Sequence, residues 1–101
     1  MQVATAIAHI LKSEGTEFLF CFPVNPLIEE CAKIDIRPIV TRTERTLLNM
    51  ADGYSRVSNG RRIGVCAVQH GPRAENAFAG VAQAHADGSP ILFIPGGNVA
   101  A

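Results

Sequence analysis

Four short apolar runs, each parted from the next by residues at helical spacing, constrain this chain more than any other feature. They are EFLFCF (17–22), IRPIV (36–40), IGVCAV (63–68) and ILFIP (91–95). A strand with one wet face alternates apolar and polar residues; these runs scarcely do, so each is expected to be covered on both faces. Strands of that kind taking turns with helices build a parallel sheet between helical layers. The expected fold is therefore α/β: a doubly wound parallel sheet in a flavodoxin-like three-layer αβα arrangement, one domain over residues 1–101. After ILFIP comes GGNVAA, where such a sheet would go on to a helix and more strands, so the sheet is expected to be incomplete at its C-terminus.

The helical stripes are equally explicit. Val3, Ala6, Ile7, Ile10 and Leu11 share one face, and Gly15 is a natural C-terminal stop. Leu27, Ile28, Cys31 and Ala32 form a shorter stripe. Leu47, Met50, Ala51, Tyr54 and Val57 form a longer one that Asn59-Gly60 closes as a turn. An Ala-rich helix is expected from about Ala74 to Ala86. Its small residues Ala74, Ala77, Gly80 and Ala82 suit close packing, either on the sheet or against another chain. Pro38 either counts against IRPIV as a strand or restricts it to a place where one backbone donor goes unused.

Composition removes several function classes. The formal net charge is +0, with no run of Lys and Arg, so the electrostatic footprint of a nucleic-acid binder is missing. With one Tyr, five Phe and no Trp, base-stacking platforms are not expected either. No apolar run approaches the ~20 residues of a membrane span, so no membrane partner is expected. Cys21, Cys31 and Cys66 are odd in number, lack CxxC spacing and sit in apolar segments, as buried reduced thiols of a cytoplasmic protein do. An apolar share of 48% against 18% charged residues is high for so short a domain, and points to surface covered by a partner.

Two segments carry candidate chemistry. Thr41-Arg42-Thr43-Glu44 lies between a strand and a helix, where open α/β sheets bind ligands. It fits a capping box, in which Thr41 caps the helix and Glu44 reaches back to its backbone donor; the other reading makes Glu44 a catalytic carboxylate. The second segment, His70-Gly71-Pro72-Arg73-Ala74-Glu75-Asn76, follows IGVCAV as a tight turn into a helix. It is neither a Walker loop nor GxGxxG. His9, His70 and His85 have no metal-ligand spacing. Asp87, beside Gly88-Ser89-Pro90, reads as a turn former.

Taken in order, these pieces resemble the N-terminal pyrimidine-binding (PYR) domain of thiamine-diphosphate-dependent enzymes, the acetolactate synthase and 2-oxo-acid decarboxylase group. The motifs are the loop Cys21-Phe22-Pro23-Val24-Asn25, Arg42-Thr43-Glu44, Ala51-Asp52-Gly53-Tyr54-Ser55-Arg56, Gly71-Pro72-Arg73-Ala74-Glu75-Asn76, and Asp87-Gly88-Ser89-Pro90 before ILFIPGG. The resemblance implies that Glu44 hydrogen-bonds N1′ of the cofactor's aminopyrimidine and so activates the cofactor. It implies a pocket shaped by Gly71, Pro72 and Asn76, with Gln69, Pro23 and Asn25 as further cofactor-binding residues. It implies a 2-oxo acid substrate, in decarboxylation or carboligation, and thiamine diphosphate whose Mg²⁺ is held by a domain with a Gly-Asp-Gly…Asn motif. No Gly-Asp-Gly occurs here, so this chain is expected to supply half a site, inactive alone, in a homodimer or paired with a diphosphate-binding domain. The alternative is a separately encoded, non-catalytic subunit acting as a binding or assembly module. Cys21, Val24 and Arg73 stand where the family carries glycines, and Thr43 and Arg45 replace its usual His and Gln.

Overall fold

The computed structural model describes residues 2–22, 26–69 and 71–96. Helix α1 (Val3–Ser13) leads to strand β1 (Phe18–Phe22), then α2 (Pro26–Lys33), β2 (Arg37–Val40), α3 (Glu44–Val57) and β3 (Gly64–Val68). Two helices follow, α4 (Pro72–Asn76) and α5 (Phe78–Asp87), before β4 (Ile91–Pro95). The strands form one all-parallel sheet in the order β2-β1-β3-β4. The doubly wound α/β expectation is met. The order places Pro38 on the edge strand β2, where a missing backbone donor is tolerated.

The two-residue period of the strands divides the core. Leu19, Cys21, Val65 and Ala67 face α1 and α2, meeting Ala8, Leu11, Leu27 and Cys31. Phe20, Cys66 and Val68 face the other way, onto Leu47, Leu48 and Ala51 of α3 and onto Ala77. All five residues of β3 are buried, as a central parallel strand requires. One contact there leaves no slack: a Cβ on Gly64 would lie 2.1 Å from the Ala51 carbonyl oxygen, so only glycine lets α3 come this close to β3.

Several stripe residues fall differently from their spacing. Met50 and Val57 are exposed, and Ala32 lies outside the core. On α3 the covered face instead takes in Asp52 and Ser55, polar residues that an apolar stripe passes over. The expected helix 74–86 is two helices, broken at Ala77. Nothing in the local sequence breaks it; Ala77 is fully buried, in the core cluster that holds Leu47, Leu48 and Ala51 of α3. The small residues Ala77 and Gly80 pack inward, and a Cβ on Gly80 would come 2.5 Å from Leu48 Cδ2, while Ala82 is exposed.

Asp52 and Arg56 lie one turn apart on α3 and join it to the end of α5. Arg56 Nε donates to Asp52 Oδ1 at 2.9 Å and its Nη2 to Asp87 Oδ2 at 2.8 Å. Asp87, which the sequence suggested as a turn former, therefore belongs to an ion-pair network; Gly88 in the left-handed region makes the turn. Burial alone would raise the Asp52 carboxyl, but the Arg56 hydrogen bond and charge hold it below its ordinary value. The Ser89 hydroxyl helps from close by without closing a hydrogen bond of ordinary geometry.

The three cysteines are free and buried. Burial pushes their thiols up, Cys21 and Cys31 to about 11 and Cys66 to about 12, which keeps them protonated and unreactive. Among the described residues no helix is long and apolar enough to cross a membrane.

Candidate functional site

The C-terminal ends of the strands meet the starts of α3 and α4. Between β1 and β3 the winding reverses, and open α/β sheets bind ligands outside such a switch point. An open cleft of about 760 Å³ lies there, lined by Glu44, Gln69, Pro72, Arg73, Glu75 and Asn76.

Glu44 is the first residue of α3, and Thr43, not Thr41, is the N-cap. The Thr43 hydroxyl accepts from the Thr46 backbone N–H at 3.1 Å, while the Thr41 hydroxyl donates to the Thr43 carbonyl at 2.8 Å. The capping-box expectation for Glu44 is thus overturned. With Thr43 meeting one of the orphan donors of the first turn, that of Thr46, the Glu44 side chain crosses to α4. Its Oε1 accepts from Asn76 Nδ2 at 2.8 Å, and its Oε2 lies 3.4 Å from Arg73 Nη1. The residue is only 5% exposed, yet it forms part of the cleft wall.

The turn after β3 delivers those partners. Gly71 caps α4 with φ +66°, a backbone shape that disfavours side chains, and Pro72 follows at the helix start, where it needs no donor. One turn of α4 then sets Arg73 and Asn76 against Glu44. The guanidinium of Arg73 also lies over the Phe22 ring at the end of β1, 5.8 Å from its centroid. The sequence brought no role to Glu75, which shares the cleft wall, nor to the contact of Arg73 with Glu44; residues 29 apart in the chain carry no local signal of meeting.

Of the residues singled out beforehand, Glu44, Gln69, Pro72 and Asn76 come together in the cleft, with Gly71 forming its turn. Pro23, Asn25 and His70 lie outside the described residues. His9 and His85 are exposed on α1 and α5. Among the described residues, no group of three or more His, Cys, Asp or Glu side chains is placed to hold a metal ion.

A cleft at the strand ends of a doubly wound sheet, with a buried carboxylate in its wall, is the arrangement in which open α/β domains take ligands. The chain belongs, over residues 1–101, to the family described as thiamine pyrophosphate enzyme, N-terminal TPP binding domain. That family implies thiamine diphosphate as the ligand.

Among its relatives, a probable acetolactate synthase large subunit of Methanococcus aeolicus is 36% identical over 99 residues, covering 95% of this chain and 16% of the relative. The 2-hydroxyacyl-CoA lyase 2 of Homo sapiens is 36% identical over 93 residues, covering 89% of this chain and 14% of that protein. The crystal structure of benzoylformate decarboxylase from Polynucleobacter necessarius superposes with a TM-score of 0.82 at 16% identity. It covers 98% of this chain and 19% of that one, and shows the shared fold. The chain thus spans a small part of the length of the relatives it matches.

Proposed function

We propose that this chain is the pyrimidine-holding half of a thiamine-diphosphate site in an acetolactate synthase-like enzyme acting on 2-oxo acids. Glu44 is the group that activates the cofactor. The observation that carries this reading is a carboxylate withdrawn from water yet set in the wall of an open cleft, with Asn76 fixing one oxygen. When bound, the cofactor supplies the electron sink for making or breaking a carbon–carbon bond next to a carbonyl.

The work of the chain is positional. Glu44 holds a proton in common with ring nitrogen N1′ of the aminopyrimidine, from a helix start that keeps its backbone fixed. Asn76 orients the carboxylate, Gly71 and Pro72 shape the turn that presents Asn76, and Gln69 borders the same space. Pro23 and Asn25 complete the pocket in this reading. The diphosphate and its Mg²⁺ fall to a separate Gly-Asp-Gly…Asn domain, on a second copy of the chain or a distinct partner, in a cytoplasmic enzyme.

Glu44→Gln in the complete assembly tests the assignment. Turnover of a 2-oxo acid such as pyruvate should fall about a hundredfold or more, the usual weight of a positioned proton-transfer group. Undiminished turnover would leave Glu44 without its role and favour a non-catalytic assembly module. The half-site reading has its own test: residues 1–101 alone should show negligible heat on titration with thiamine diphosphate and Mg²⁺. Tight, Mg²⁺-dependent binding by that piece would overturn it.

A further inference from the structure

Arg73 is a cleft residue that departs from the resembled motif, since it stands where the Gly-Pro-Gly turn carries its second glycine. Its side chain is 43% exposed, against 6% for the Glu44 side chain that it meets. The two partners of Glu44 differ in kind. Asn76 Nδ2 reaches Oε1 at 2.8 Å, well within hydrogen-bond range. Arg73 Nη1 reaches Oε2 at 3.4 Å, near the limit of that range, from a side chain half in solvent. A ring nitrogen arriving at Glu44 therefore finds one oxygen firmly held and the other loosely held. What holds the second oxygen is a flat cation with several N–H donors in one plane, the same kind of hydrogen-bonding edge that a protonated aminopyrimidine presents. The Phe22 ring beneath the guanidinium gives it a place to rest without the carboxylate.

We infer that Arg73 sets the ligand affinity of this pocket by donating to the Glu44 oxygen that the aminopyrimidine needs, so that the cofactor binds only by displacing the guanidinium. This rests on the cofactor role proposed for Glu44. Arg73 is a resident competitor, and its removal changes binding before it changes any chemical step. Because the contact is long and partly solvated, its loss has a modest effect, and the displaced side chain needs no rearrangement of α3 or the sheet.

The experiment is calorimetry of thiamine diphosphate with Mg²⁺ on the complete assembly, comparing the wild type with Arg73→Gly and Arg73→Met. The methionine variant keeps most of the bulk and the helix propensity while removing the charge. Both should bind roughly three- to tenfold tighter than wild type. Millimolar guanidinium chloride should weaken binding to Arg73→Gly again, and should do so much less once Glu44→Gln is added. Tighter binding by the glycine variant alone would make bulk the cause and overturn the role of the guanidinium. Equal or weaker binding by both variants, with a wild type that binds, sinks the inference and leaves the function of Glu44 standing. No binding by any of the three proteins sinks both.

Discussion

Helix α3 holds two carboxylates that are almost equally buried and oppositely provided for. Asp52 is 3% exposed and Glu44 5%. Asp52 has an arginine on its own helix, one turn along, at 2.9 Å, and that arginine is anchored in turn by Asp87. The network is closed, short and local, and its visible effect is to hold α3 against the end of α5. Glu44 faces an open cleft, and its partners come from another helix, one short and neutral, one long and charged. Burial therefore does not separate a carboxylate tied into a structural network from the one proposed to activate a cofactor. The separation lies in the partners and in what else can reach the group.

Substitutions that remove charge at small change in shape should part the two sites along two axes. The largest effect is expected from Glu44→Gln: about a hundredfold loss of turnover in the complete assembly, with unfolding free energy changed by no more than about 1 kcal/mol. A comparable loss of stability would place Glu44 with Asp52 as a structural group. Asp52→Asn should behave the other way, costing about 1–3 kcal/mol in denaturant unfolding because a nearly buried, charge-assisted contact is lost.

That cost should depend on pH in a definite sense. The folded chain holds the Asp52 carboxyl below its ordinary value of 3.8, so the folded state binds fewer protons than the unfolded one around that pH. The stabilisation is complete above the unfolded value and is lost as the pH falls through the folded one. Melting curves of wild type and Asp52→Asn should lie furthest apart near neutrality and converge below about pH 4. A gap that stayed constant into acid would mean that packing, not charge, distinguishes the two proteins. The smallest effect, about 1 kcal/mol in thermal unfolding, is expected from Thr43→Ala, which removes the cap. If Thr41→Ala proved the costlier of the two, the start of α3 would have to be redrawn.

The sheet was legible in the sequence because each strand is a short apolar run with turn residues at its ends, a signal that needs no tertiary knowledge. Pro38 left IRPIV open as a strand, and the edge position of β2 resolves it. The start of α3 was less legible. Two threonines, Thr41 and Thr43, both offer a hydroxyl to a helix end, and the capping-box pattern selects the wrong one. The Ala-rich segment reads as one helix because alanine favours helix on both sides of Ala77. The structure instead ends one helix at Asn76 and starts the next at Phe78, with Ala77 buried in the core between them. Ordered motifs singled out Glu44, Pro72 and Asn76, which the structure gathers in one cleft, whereas the contact between Arg73 and Glu44 depends on how α4 sits over α3. The Asp52–Arg56 pair was within reach, at the i, i+4 spacing of a helix. Asp87, 31 residues beyond Arg56, was not.

The lone tyrosine adds a practical consequence. Tyr54 stands edge-on to Phe18 at 5.7 Å, lies 5.8 Å from Phe20, and donates its hydroxyl to Glu17. Since the chain has no tryptophan, one ring dominates its near-ultraviolet absorption and emission. That ring sits where α3 docks on β1, so a chiral signal from a single chromophore tracks the seating of the helix that carries Glu44. The chain thus holds its own optical gauge of that seating, with no label attached.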